Sequence, residues 1–219
     1  MTQSSLHDSE PQWRSRGYLP HFDETGQVQS ITIRLYDSLP SAVLEAWKEE
    51  LRWDVGLADG EQRQLELRRR VAIYEDAGHG ACFLCDPQIA LLVESALMFF
   101  DGSRYRLLGW CVMPNHVHAV IETFAGHSLD RVMHSWKSYT SKAANRLLAR
   151  HGIFWMREYF DRFVRDEEHL AYLLDYIHNN PVKAGLVAHS EDWPFSSARY
   201  YIGVRSNAGG TPAFPGNQP

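Results

Sequence analysis

Cysteine is scarce in this chain: Cys82, Cys85 and Cys111 among 219 residues. Three thiols at uneven spacing cannot build a disulfide framework. Cys82-Phe-Leu-Cys85 lacks the second pair a zinc site would need, so it reads as buried or incidental. Long apolar runs are missing too, and none approaches the roughly 20 residues of a membrane span. The N-terminal stretch MTQSSLHDSEPQWRSRGY has no apolar core, which argues against a secretory signal. Internal repeats are absent, and so is any strong excess of one charge: the net charge is −5. The expectation is a soluble protein of the cytoplasm that makes no use of a membrane.

What is present is ordinary globular material. Hydrophobic residues make up 44% and charged residues 22%, with 7 Trp and 10 Tyr, enough apolar mass for one sizeable core. The charge is unevenly spread. Residues 1–100 hold 9 Lys and Arg against 16 Asp and Glu, whereas residues 101–219 hold 13 against 11. Between 101 and 150 the ratio is 7 to 3, which leaves room for a basic face on an acidic protein.

Residues 1–26 are polar and read as a loose N-terminal segment. QSITIRLYD (29–37) alternates Ile31, Ile33 and Leu35 against Thr32 and Arg34, the period of a half-buried strand. Residues 41–75 read as two charged amphipathic helices with a break near LADG, the second presenting a solvated face in EQRQLELRRR. Asp86 and Pro87 open a buried helix over 86–100. RYRLLGWCVM (104–113) and HVHAVIE (116–122) read as a hairpin joined at MPN, and Ser128 as the cap of a long helix. FWMREYFDRFV (154–164) reads as an aromatic-rich strand, and Asp166 starts a last helix that Pro181 should stop. With 41–75 set aside, the order is β-α-β-β-α-β plus one helix. That is an α+β, ferredoxin-like split βαβ with a four-stranded antiparallel sheet. The expected organisation is a single catalytic domain over 27–202 and a disordered tail over 203–219.

MPNHVHAVIE (113–122) carries the first chemistry. Side chains at i and i+2 of a strand lie on one face, about 6–7 Å apart, so His116 and His118 can share a divalent cation while Val117 points into the core. Alone, such a pair reads first as two surface histidines on a half-exposed strand, since two ligands do not make a site. The last helix offers more. Leu170, Leu173, Leu174 and Ile177 form its buried stripe, and His169, Tyr176 and Asn180 share a flank about 90° away. Tyr176 and Asn180 stand one turn apart. An amide oxygen beside two imidazoles suits Mg²⁺ or Mn²⁺ better than a closed structural zinc site, and a phenol beside such an ion can attack phosphorus. Tyr172, one turn earlier, is the rival nucleophile, but the position four residues after it holds Tyr176 rather than an amide. His79, in DAGHGA, reads as a loop residue.

MPNHVHAVIE, WKSYT, FWMREYFDRFVRDEEH, YIHNNPVKAGLV and WPFSSARY together resemble the REP-associated tyrosine transposases, relatives of the single-strand transposases with a His-hydrophobe-His motif. The resemblance runs from about Gly17 to Tyr201. It implies metal ligation by His116 and His118, with Asn180 as third ligand where several insertion-sequence relatives carry Gln, and catalysis by Tyr176. It implies a strand transferase that nicks single-stranded DNA through a 5′-phosphotyrosine, reading hairpins of repetitive extragenic palindromes, as a nucleoid-associated monomer or homodimer. Lys137, Lys142, Arg146, Arg150, Arg157, Arg162, Arg165 and Lys183 are the expected phosphate contacts. Two other readings stay open: a hairpin-binding regulator without turnover, and an RNA phosphodiesterase of the same fold. The role of the helical insertion at 41–75 does not carry over.

Overall fold

The structure, a computed structural model, describes residues 13–15, 20–22, 26–54, 56 and 60–201. The tail expected over 203–219 lies outside the described residues, as does most of the segment over 1–26. Within that segment two short strands pair antiparallel, β1 (Trp13–Ser15) and β2 (Pro20–Phe22). The central sheet is built from β3 (Val28–Arg34), β4 (Tyr105–Val112), β5 (His116–Thr123) and β6 (Phe160–Phe163), in the order β4-β5-β3-β6 with every pairing antiparallel. Between them run α1 (Ser41–Trp53), α2 (Gly60–Asp76), α3 (Pro87–Met98) and α4 (Leu129–Leu147). After β6 come α5 (Glu167–Lys183) and the short α6 (Ala198–Tyr201). First and third core strands lie side by side at the centre, which is the split βαβ arrangement.

Period-two alternation sorts the two faces of the sheet. Ile31 and Ile33 of β3, Val117 and Ala119 of β5 and Trp110 and Val112 of β4 bury into one cluster with Ile89 and Val93 of α3 and Val132 and Trp136 of α4. The other face carries Leu108, Cys111 and Val120, covered by Ile177, Leu174 and Leu170 of α5. Gly109 lets α5 come this close: a Cβ there would collide with the side chain of Leu174. The strand register shifts at the same place, between Leu107 and Gly109. The α1–α2 hairpin closes a third cluster around Leu39, Leu44 and Val71, against Phe160 of β6.

Local signals for the helix starts hold where the chemistry is strongest. Asp86 accepts from the Gln88 N–H at 2.8 Å, and Asp166 from the His169 N–H at 2.7 Å. Ser128 occupies the N-cap of α4 without a side-chain bond. Two expectations fail. The aromatic strand expected over 154–164 is a true strand only over Phe160–Phe163. Phe154 and Trp155 sink into the core instead, Trp155 donating to the Thr140 hydroxyl at 2.8 Å. The carbonyls of Met156 and Arg157 turn to the Lys137 ammonium at 2.6 and 2.7 Å. Pro181 does not stop the last helix, which runs through it to Lys183 and closes with the Ala184 N–H on the Asn180 carbonyl at 2.9 Å. Pro181 removes one internal hydrogen bond, and burial of the final turn around it keeps the helix going.

Candidate metal and tyrosine site

On the α5-covered face, register places His118 opposite Thr32 and Cys111, and His116 opposite Arg34. Both rings are buried, His116 at 0% and His118 at 7% exposure. Each is oriented from behind. The Asn115 amide nitrogen donates to the His79 carbonyl at 2.9 Å, which turns its oxygen toward His116 Nδ1 at 2.7 Å. His116 therefore carries its proton on Nδ1. His118 Nδ1 lies 2.9 Å from the Thr32 hydroxyl. With both Nδ1 atoms engaged, the two Nε2 atoms converge to 3.0 Å. Where the Thr32 hydroxyl accepts from His118 Nδ1, two lone pairs meet here and a shared cation satisfies them; where it donates, His118 Nε2 donates to His116. Outer hydrogen bonds of this kind hold ligating imidazoles in place. Burial holds the His118 imidazole down to about 4 and pushes His116 well below its usual range, with the neighbouring His118 and Arg34 adding to it. Neutral imidazole is the form that binds a metal.

The third member of the cluster is an acid that sequence reasoning missed. Asp76, the last residue of α2, brings Oδ1 to 3.7 Å from His116 Nε2, and the ligating atoms of Asp76, His116 and His118 all lie within 4.8 Å of one another. Two imidazoles and a carboxylate fit a divalent cation. Burial pushes the Asp76 carboxyl up to about 6, against the pull of Lys183. Next to it Glu75, raised to about 7 by burial, takes the Arg34 guanidinium at 2.5 Å, both side chains being almost wholly enclosed. This ion pair fixes the end of α2 to β3. Most of α2 is the solvated, ion-paired helix its sequence suggests, with Arg70 bound to both Glu50 and Glu66. The available signal was the acid pair Glu75-Asp76 at its end, just before the glycine-rich turn.

Tyr176 lies edge-on to His118, ring centroids 6.0 Å apart, with the Lys183 ammonium 4.5 Å over its ring. Burial pushes its phenol up to about 12, and Asp76, Glu75 and Tyr172 add to the shift. Asn180 is fully buried, and neither its Oδ1 nor its Nδ2 has a hydrogen-bond partner. An orphaned buried amide one helical turn from Tyr176 is the second observation that fits a cation here. His169 stays apart, accepting from the Arg165 N–H at 3.3 Å.

The cationic candidates divide. Lys183 stands at the tyrosine, and Arg162 on β6 lines the same cavity as His118 and Tyr176. Lys142 and Arg146 lie on α4, behind the opposite face of the sheet. Lys137 is bound to the two carbonyls described above. Arg150 covers Phe83 at 4.7 Å and donates to the Ile153 carbonyl at 3.0 Å. Arg157 and Arg165 are exposed in the segments flanking β6.

In sequence and in fold the chain is similar to proteins of one group of transposases. The family model "Transposase IS200 like" matches residues 92–180, from α3 to Asn180. A Haemophilus influenzae protein assigned to the REP-associated tyrosine transposases is 32% identical over 98 residues, covering 40% of this chain and 55% of its own length. The Escherichia coli K12 REP-associated tyrosine transposase is 26% identical over 114 residues, covering 52% of this chain and 67% of its own. The solved structure of a REP-associated tyrosine transposase bound to a REP hairpin superimposes with a TM-score of 0.52 at 16% identity, over 93% of this chain and 98% of that one. Over these segments the chain is similar to the REP-associated tyrosine transposases, the group its motif blocks resemble. The matched segment spans little more than half of the Haemophilus protein. The family model leaves out β3 and the α1–α2 hairpin, and so leaves out Asp76.

Proposed function

We propose that this chain is a metal-dependent DNA strand transferase that nicks single-stranded DNA beside a palindromic hairpin and holds the cut end on Tyr176. The observation that carries the reading is Tyr176 set edge-on to His118, whose Nε2 converges with that of His116. His116, His118 and Asp76, with Asn180 on the far side, would hold Mg²⁺ or Mn²⁺. When bound, the ion supplies positive charge to the phosphate and lowers the barrier for charge developing at phosphorus.

The residues of the chain do the rest. Tyr176 Oη attacks phosphorus in line, the phosphorus–O3′ bond breaks, and the phenolic proton is made up on the departing 3′-hydroxyl. The bond formed is a 5′-phosphotyrosine, which a second 3′-hydroxyl can reverse onto another strand without ATP. A phenol pushed up to about 12 is a poor nucleophile until cationic charge is near it, which ties attack to loading of the site. Lys183 at the ring and Arg157, Arg162 and Arg165 around β6 are phosphate contacts in this reading. Residues 27–202 act as one catalytic unit, a monomer or homodimer at the nucleoid. No helix among the described residues is long and apolar enough to cross a membrane.

Labelled single-stranded hairpin DNA, incubated with the protein and Mg²⁺ or Mn²⁺ and run on a denaturing gel, tests this. The expected result is a covalent adduct with wild type and none with Tyr176→Phe, which still shifts the hairpin in a native gel. Binding without any adduct would make the chain a regulator. Cleavage of RNA without an adduct would make it a phosphodiesterase.

A further inference from the structure

Beside the histidines, the α5-covered face opens into a cavity of about 240 Å³ between α2, the β3–β6 edge and α5. His118 and Tyr176 line one end, so whatever fills it is the immediate neighbour of a phosphate held at the tyrosine. Its far wall is Val71 and Ala72 of α2 together with Phe160. The Phe160 ring carries the Arg34 guanidinium on one face, at 4.6 Å. Two exposed guanidinium groups stand among the lining side chains, Arg68 of α2 and Arg162 of β6. Arg68 is held only by Gln64 at 3.5 Å, and Arg162 makes no ion pair among the described residues. Two acids line the cavity: Glu75, matched by Arg34 at 2.5 Å, and Asp161 of β6, against which Arg68 and Arg162 leave the lining in cationic excess. Tyr172 adds a ring that is 66% exposed, one turn before Tyr176.

An apolar slot with paired free cations and a bare aromatic ring has the chemistry of a nucleotide: rings for the base, guanidinium groups for the phosphate. Its volume falls below the roughly 300–1,000 Å³ of pockets that take drug-sized molecules, and so suits one base. We propose that this cavity takes up a single unpaired nucleotide flanking the cleaved phosphodiester, with its base between α2 and Phe160 and its phosphate on Arg68 and Arg162. The inserted helical hairpin is then part of the substrate-reading surface. This rests on the strand-transfer reading above and adds to it a position at which the unpaired flank is gripped.

The test uses full-length Tyr176→Phe protein, which binds without cutting, and hairpin DNA with 2-aminopurine placed at successive positions of its unpaired flank. Fluorescence should change on binding at one position only. Ala72→Trp, added to fill the slot, should abolish that change and weaken binding of the flanked hairpin about tenfold, while affinity for a blunt hairpin stays within about twofold. In the Tyr176 background, Ala72→Trp should cut adduct formation about tenfold, the scale of one lost base contact. An abasic residue at the same position should do the same to wild type and add nothing to Ala72→Trp. Arg68→Gln and Arg162→Gln, both at exposed positions, give the same test without risk to folding. Each should weaken binding of flanked hairpin more than of blunt hairpin. Fluorescence that changes nowhere, or that survives Ala72→Trp, overturns the pocket. Absence of any adduct with wild type overturns the strand-transfer reading instead, and the fluorescence result then stands by itself.

Discussion

On β3, Ile31 and Ile33 turn to the face closed by α3 and α4, whereas Thr32 and Arg34 turn to the face shared by α2 and α5. The first face is mainly apolar: Ile31, Ile33, Val117, Ala119 and Ile121 pack into one cluster, and the polar side chains Gln29 and Thr123 are buried only at the strand ends. The second is half apolar and half polar, with Cys111, Val120 and Leu108 under α5 giving way along the same strands to His118, His116, Thr32 and Arg34. Buried polar groups cost stability unless each finds a partner. Most here do; the Asn180 amide and Arg34 Nε do not, and the two imidazole Nε2 atoms have only each other, at 3.0 Å, where a cation would be accommodated. One face holds the sheet together. The other carries its chemistry at the expense of packing.

That division is testable at neighbouring positions. The largest effect should come from the apolar face: Ile31→Ala should cost about 2–5 kcal/mol in urea unfolding. Metal affinity, measured where the variant is folded, should stay unchanged. Asp76→Asn should do the opposite, leaving urea stability within about 1 kcal/mol and lowering Mn²⁺ affinity by calorimetry roughly tenfold or more. Equal affinities would remove Asp76 from the ligand set. Thr32→Val keeps the shape of the strand but frees His118 Nδ1, and should weaken Mn²⁺ binding about tenfold. Asn180→Ala should have the smallest effect, a severalfold rise in the metal needed for half-maximal cleavage with partial rescue by Mn²⁺, whose coordination is less demanding. Superimposable metal titrations would mean that Asn180 serves the helix end alone.

The apolar face was legible in the sequence because alternation of Ile31, Ile33 and Leu35 has only one structural meaning. The pairing of His116 with His118 followed from the same period, and the approach of Tyr176 to them from the stripe Leu173, Leu174 and Ile177. Asp76 was not legible. Its helix is solvated over most of its length, and the turn that matters is set by a contact between Arg34 and Glu75, 41 positions apart. No local pattern encodes such a contact. The shortness of β6 was hidden for a related reason: the Lys137 ammonium, far back on α4, claims the carbonyls that a longer strand would have spent on β3. Pro181 misled because the rule for proline is local, while burial of Asn180 and Pro181 is tertiary.

The Arg34–Glu75 pair has an evolutionary side. Removing one partner of a buried ion pair costs about 3–5 kcal/mol, because the survivor is left charged and unsolvated. Losing Glu75 while the rest of the α1–α2 hairpin still covers the sheet would leave the Arg34 guanidinium buried beside His116 without its partner, so positions 34 and 75 are expected to change together. Among relatives, a neutral side chain at the position of Arg34 should mark the chains that lack an acid at the position of Glu75.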